Sequence, residues 1–204
     1  MRYLLVLFSI FAIQTAYADV QIKVVDQDNN PVSNAVISLL SAPMATAKTV
    51  AVMDQIDTSY EPRVLVIQKG QYVSFPNSDD IRHHVYSFSK PKSFELKLYK
   101  GSDIAPILFD KSGLVVLGCN IHDSMIGYIY VADNVFTVKT NEKGWATVPA
   151  KMGDDITIWD EYFVDGTQTI KHYKITNEEK QTIQLELLPP ADIENDSYTY
   201  DYDS

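Results

Sequence analysis

The stretch of chain between residues 64 and 75 reads Val64-Leu65-Val66-Ile67-Gln68-Lys69-Gly70-Gln71-Tyr72-Val73-Ser74-Phe75. Two runs rich in β-branched and aromatic residues flank a Lys-Gly turn, a pattern typical of two strands joined by a short connection. Similar short runs, separated by Gly, Pro, Asn and Asp, recur along the chain, and no stretch of about 12 residues keeps a helical apolar period. The sequence therefore predicts an all-β fold, a sandwich or a barrel.

The composition is that of a globular chain, with 46% hydrophobic and 22% charged residues. This excludes collagen-like, coiled-coil and mostly disordered chains. The 17 Lys and Arg against 27 Asp and Glu give a formal net charge of −10, so binding to nucleic acid is not expected. A single cysteine excludes an intramolecular disulfide, and other chemistry must explain that thiol.

The two ends of the chain differ from the rest. Residues 1–18 carry Arg2, then an apolar run, and end in Ala16-Tyr17-Ala18, which suits a signal peptidase. The run is too short for a spanning helix. We therefore expect a cleaved signal peptide, export to the bacterial periplasm and no membrane span after its removal. Residues 189–204 are rich in Asp, Glu, Ser and Tyr, and we expect an acidic, disordered tail.

Candidate metal ligands surround the single cysteine. Cys119, His122 and Met125 place a thiolate, an imidazole and a thioether within seven residues, in a loop between two apolar strands. Soft sulfur ligands with imidazole select copper, and two His, one Cys and a weak axial Met are the ligands of blue-copper sites. The second histidine would be His83 or His84. Their rings point to opposite faces of a strand, so only one of them can join the copper.

Other interpretations explain these residues less well as a set. A lone buried Cys is usually a small core residue, and Met125 alone would be core filler. A structural zinc site would use more thiolates or histidines and no methionine. A catalytic Cys–His pair would need an orienting residue and a substrate cleft, which the sequence does not indicate. The pattern as a whole favours copper.

Residues from about 52 to 133 resemble a cupredoxin, the plastocyanin and amicyanin type of blue-copper domain. The resemblance rests on residues 64–77, on Asn77-Ser78-Asp79 followed by His83, and on residues 118–125, which are similar to the short ligand loop of amicyanin. It implies a Greek-key sandwich with one type 1 copper bound by the set His83, Cys119, His122 and Met125. Asn120-Ile121 stand where the family often has proline. The doubled histidine leaves His84 as the alternative to His83.

The flanks resemble a second family, the prealbumin-like (carboxypeptidase-regulatory-like) β-sandwich. Residues 20–39 are similar to its opening hairpin, residues 140–148 to a later turn and strand, and residues 182–187 to its closing strand. Neither flank has enough strands for a stable sheet. We therefore expect residues 19–49 and 134–188 to form one discontinuous sandwich, with the cupredoxin domain, residues 50–133, inserted. Two unrelated extensions and one enlarged cupredoxin are the alternatives. We expect His172 to be an ordinary surface residue.

The cupredoxin resemblance implies an electron carrier rather than an enzyme. Such a protein passes single electrons between redox partners in its compartment, here the periplasm. Amicyanin-like proteins accept electrons from a quinone-bearing amine dehydrogenase, which makes an amine dehydrogenase or a cytochrome the implied partner, and the acidic chain favours a basic one. Two other functions stay open: copper delivery or storage at a solvent-open site, and a small copper enzyme with an open coordination position.

Overall fold

The computed structural model describes residues 19–189, which form strands, turns and loops without a helix. This confirms the predicted all-β fold class. Among the described residues, no helix has the length and apolar character needed to cross a membrane. The predicted signal peptide, residues 1–18, and all of the predicted tail except Pro189 lie outside the described residues.

Strands from both ends of the described chain build one sandwich. They are β1 (Asp19–Val25), β2 (Val36–Pro43), β13 (Val135–Lys139), β14 (Trp145–Pro149), β15 (Asp155–Trp159), β16 (Lys171–Lys174) and β17 (Lys180–Gln184). One sheet has the order β14-β1-β17 and the other β13-β2-β15-β16. Ile22 and Ile183 from the first sheet and Ile37 and Ile156 from the second share one core. β1 and β2 therefore lie in different sheets, and the predicted opening hairpin is wrong. After β1 the chain turns at Asn29 and Asn34, whose φ angles are 65° and 62°. It then continues into β2 in the other sheet.

The middle of the chain builds a second sandwich with its own core. Its strands are β3 (Ala51–Val52), β4 (Asp54–Ile56), β5 (Ser59–Glu61), β6 (Val64–Gln68), β7 (Gln71–Ser74), β8 (His83–Ser89), β9 (Lys92–Tyr99), β10 (Ile107–Phe109), β11 (Gly113–Cys119) and β12 (His122–Ala132). A five-stranded sheet, β6-β12-β11-β8-β9, faces a three-stranded sheet, β10-β7-β3, and β4 pairs with β5. Gly70, at a φ of 90°, makes the turn that carries the chain from one sheet to the other.

Aromatic side chains join the two sandwiches. Trp159 of β15 is 1% exposed, and its ring centroid lies 5.4 Å from that of Tyr128 and 6.1 Å from that of Tyr130, both on β12. Beside this cluster the Arg63 guanidinium donates to the Glu161 carboxylate, with an Nη2–Oε2 distance of 2.7 Å. The middle sandwich is thus fastened to the flanking one by buried contacts. That residues 50–133 also fold alone stays a prediction.

The buried carboxyl of Asp160, next to this junction, gives the stability a pH dependence. Burial raises its pKa to about 6; the amide of Tyr162 opposes this by donating to Oδ1, and the charge of Glu161 adds to it. The folded pKa lies above the ordinary value of 3.8. The contribution of the neutral Asp160 carboxyl to the free energy of unfolding is therefore fully present below about pH 4 and is lost as the pH rises through 6.

Asp160→Asn keeps the acceptor for Tyr162 and cannot ionise. We expect the variant to match the wild type at pH 4 and to be about 1–3 kcal/mol more stable at pH 8, as measured by urea unfolding. Asp165→Asn, at an exposed carboxylate that pairs with Lys171, is the matched control and is expected to change stability by less than about 0.5 kcal/mol. Equal effects of the two substitutions at pH 8 would contradict this account of Asp160.

Candidate metal centre

Three candidate ligands meet at one end of the five-stranded sheet. His83 begins β8, Cys119 ends β11 and His122 begins β12. β11 is antiparallel to both neighbours, so the end of β11 and the beginnings of β8 and β12 lie at the same edge of the sheet. The sheet topology thus brings together residues that are 36 positions apart in the chain.

The donor atoms are spaced for one metal ion. Nδ1 of His83 and Nδ1 of His122 each lie 3.8 Å from Sγ of Cys119, and one ligand atom from each residue lies within 4.8 Å of the other two. Metal bonds to nitrogen and sulfur of about 2.0–2.3 Å place neighbouring donors about 3.5–4 Å apart. A thiolate with two imidazoles suits copper, so these residues fit a single copper ion.

The centre is nearly closed to solvent. His83 is fully buried and Cys119 is 3% exposed, whereas the His122 ring is only partly buried. In the β11–β12 hairpin, Gly118 pairs with Ile126 but Cys119 pairs with His122, so residues 123–125 form a bulge in β12. The centre therefore lies just beneath the surface, with His122 as its side facing the solvent.

Met125, in this bulge, is buried to 1% exposure and belongs to the same apolar cluster as Cys119. Its thioether is therefore buried in the same sandwich interior as the thiol of Cys119. Its role as the axial ligand stays a prediction.

His84 turns away from the centre. Its Nε2 lies 3.0 Å from Oε1 of Glu95 on β9, and its ring packs in a tilted arrangement against that of Tyr86, with the centroids 5.6 Å apart. The alternation of a strand places it on the face opposite His83, so the structure places His83 beside Cys119. His172 is exposed on β16, in the other sandwich.

Sequence reasoning missed two residues that support the centre. The buried Tyr60 hydroxyl donates to the carbonyl oxygen of Gly118, 3.0 Å away, next to Cys119. Burial raises the pKa of this hydroxyl, so it stays protonated as a donor. No local pattern links Tyr60 to Gly118, because the contact joins segments 58 residues apart.

The second is Asp79, whose Oδ2 lies 2.6 Å from Nε2 of His83. Burial raises the pKa of this carboxyl, but hydrogen bonds from the amide of Thr58, the ring of His83 and the amide of Asp57 outweigh burial and hold the pKa below its usual value. Asp79 is therefore a carboxylate at neutral pH. The only sequence signal for Asp79 is its place in the Asn-x-Asp pattern before His83.

Comparisons with known proteins give partial likenesses. No protein-family model matches the chain, and no curated protein matches it. A copper-containing nitrite reductase from Thermus scotoductus SA-01 is 26% identical over 46% of this chain and 26% of its own, with a TM-score of 0.39. The P94F mutant of amicyanin, in its reduced state, is 23% identical over 47% of this chain and 98% of its own, with a TM-score of 0.37. A purple cupredoxin from Nitrosopumilus maritimus is 21% identical over 40% and 99%, with a TM-score of 0.36. The chain thus spans about a quarter of the nitrite reductase.

Proposed function

We propose that this protein is an exported carrier of single electrons with one type 1 copper. Its ligands would be Nδ1 of His83, Nδ1 of His122, the thiolate of Cys119 and, weakly, the thioether of Met125. The observation that carries the proposal is that the first three donor atoms lie within 4.8 Å of one another, at a site that is nearly closed to solvent. When bound, copper supplies a one-electron Cu(II)/Cu(I) couple at this position.

The surroundings of the ligands favour electron transfer over chemistry on a substrate. His83 is held by Asp79 at 2.6 Å, and Cys119 by its strand and the apolar cluster behind it. Ligands fixed by packing and hydrogen bonds change little when the charge of the metal changes, which keeps the reorganisation on electron transfer small. His122 is the most exposed of the three ligands, which supports its ring as the side of the centre that a partner would approach.

The proposed compartment is the periplasm, and the proposed partner is a redox protein such as an amine dehydrogenase or a cytochrome. The formal net charge of −10 supports a basic partner surface through long-range attraction. Contacts of this kind are small, below about 1,200 Å².

The decisive experiment is the optical and paramagnetic spectrum of the full chain loaded with Cu(II). Intense visible absorption, narrow copper coupling and reversible one-electron reduction are expected of a thiolate-bound carrier site. A colourless Cu(II) form that retains Cu(I) and releases it readily would support delivery or storage instead. A spectrum that changes on addition of azide would support an enzyme with an open coordination position.

The doubled histidine provides a matched pair of variants for the same measurement. His83→Ala removes a buried ring beside Cys119, and we expect it to lose the visible band or its narrow copper coupling. His84→Ala removes a ring that contacts Glu95 on the other face, so both features should persist. The reverse result would transfer the ligand role to His84, and loss in both variants would mean that the strand needs both rings.

A further inference from the structure

Asp79 links a backbone turn to the most buried imidazole of the metal centre. Its Oδ1 accepts a hydrogen bond from the amide of Asp57 at 2.6 Å, and its Oδ2 accepts one from the amide of Thr58 at 2.9 Å. The same Oδ2 lies 2.6 Å from Nε2 of His83. The Asp79 side chain is 11% exposed and that of His83 is fully buried, so little water competes for these hydrogen bonds.

The turn that Asp79 contacts is shaped to hold a carboxylate. Asp57 and Thr58 are the two residues between β4 and β5, and their φ angles are 50° and 56°, as in the tight hairpin turns with two left-handed residues. Both are non-glycine residues, and Thr58 is β-branched, so this conformation is unfavourable by itself. Successive amides of such a turn point to one side and form an anion-binding concavity. The Asp79 carboxylate fills it.

Asn77 fixes Asp79 from the other direction. Its Oδ1 accepts a hydrogen bond from the amide of Asp79 at 3.0 Å, and its Nδ2 donates to the carbonyl oxygens of Ile81 and Tyr99. Asn77 is itself 3% exposed. The β4–β5 turn on one side and Asn77 on the other therefore hold the Asp79 carboxylate against the His83 ring.

This arrangement decides which nitrogen of His83 is free. Both oxygens of Asp79 already accept hydrogen bonds from the amides of Asp57 and Thr58, so the side chain faces Nε2 of His83 as an acceptor and favours a proton on that nitrogen. In the tautomer with its proton on Nε2 the lone pair lies on Nδ1, the atom that is 3.8 Å from Sγ of Cys119. This is the tautomer that can bind a metal on the Cys119 side.

We propose that Asp79 is a positioning residue of the metal centre: its carboxylate fixes the tautomer and orientation of His83 and strengthens Nδ1 as a donor. Carboxylates on metal-bound histidines act in this way in other proteins. A more basic Nδ1 stabilises Cu(II) more than Cu(I), so Asp79 lowers the reduction potential. This last step rests on the proposed copper function, whereas the tautomer does not.

The tautomer is tested on the metal-free full chain by nitrogen-15 NMR of the histidine rings, with His83→Ala to assign the signals. We expect His83 to carry its proton on Nε2 in the wild type and to shift toward a mixture of tautomers in Asp79→Asn. Asp80→Asn makes the same change of charge one residue away, at a fully exposed side chain beside Lys100, and should leave the tautomer unchanged. Protonation at Nδ1 in the wild type would overturn the proposal, and this result does not depend on whether Asp79→Asn folds.

The effect on copper is tested by affinity titration and potentiometry of the same proteins. Asp79→Asn should weaken Cu(II) binding by about 10–100-fold. The loss of Cu(II) affinity should be about ten times the loss of Cu(I) affinity, and this difference raises the reduction potential by about 59 mV. Asp80→Asn should change neither affinity by more than about twofold. Equal affinities and potentials in the two variants would overturn the role of Asp79. A wild type that binds no copper but has the expected tautomer would overturn the proposed function and leave the positioning of His83 standing.

Discussion

Replacing Cys119 by serine is expected to abolish the visible absorption of the copper-loaded protein while the sandwich stays folded. The absorption of a thiolate–Cu(II) centre arises from the sulfur, and a serine hydroxyl is a harder, neutral donor that gives no such band. Cys119→Ser exchanges one atom, and the smaller hydroxyl faces Nδ1 of His83 and Nδ1 of His122, which lie 3.8 Å from Sγ in the wild type. Such partners limit the cost in the free energy of unfolding to about 1 kcal/mol.

Visible spectra and paramagnetic resonance of the Cu(II)-loaded full chain measure the effect, and the thermal midpoint of the metal-free protein serves as the folding control. Because the chain has no second cysteine, a band that survives Cys119→Ser could not come from a thiolate. The proposed type 1 centre would then be wrong, whatever the affinity for copper.

Local spacing is enough to predict part of the centre. Cys119 and His122 are three residues apart at a strand boundary, and the structure brings them together with donors 3.8 Å apart. The choice between His83 and His84 is open at the level of sequence because alternation places them on opposite faces without saying which face is inside. That depends on the pairing of β8 with β11, where Tyr86 lies opposite Gly118.

Contacts between distant segments cannot be predicted from local patterns. The amides of Asp57 and Thr58 reach Asp79 only because the β4–β5 turn folds over the loop before β8. In the same way, the runs around β1 and β2 are correctly predicted to be strands, but their membership of different sheets depends on partners far later in the chain, such as Ala146 opposite Ile22.

Replacing Trp159 by alanine is expected to lower the free energy of unfolding by about 3–5 kcal/mol, as for other large buried aromatic residues. The indole is 1% exposed, packs on Tyr128 and Tyr130, and donates from Nε1 to the carbonyl oxygen of Thr167 at 2.7 Å. Its removal leaves a cavity between the two sandwiches and one carbonyl oxygen without its donor. Urea unfolding followed by circular dichroism and by the visible copper band measures the loss.

The other tryptophan is the matched control. Trp145 lies on β14 and is only half-buried, with the amines of Lys23 and Lys180 5.7 and 4.5 Å from its ring centroid, so Trp145→Ala should cost about 1 kcal/mol or less. Because Trp159 joins the flanking sandwich to β12, and β12 begins with His122, Trp159→Ala should shift the loss of the copper band and the loss of β-structure to lower urea together. If only the loss of β-structure moves, the two sandwiches unfold independently and the middle one is tethered by its ends alone.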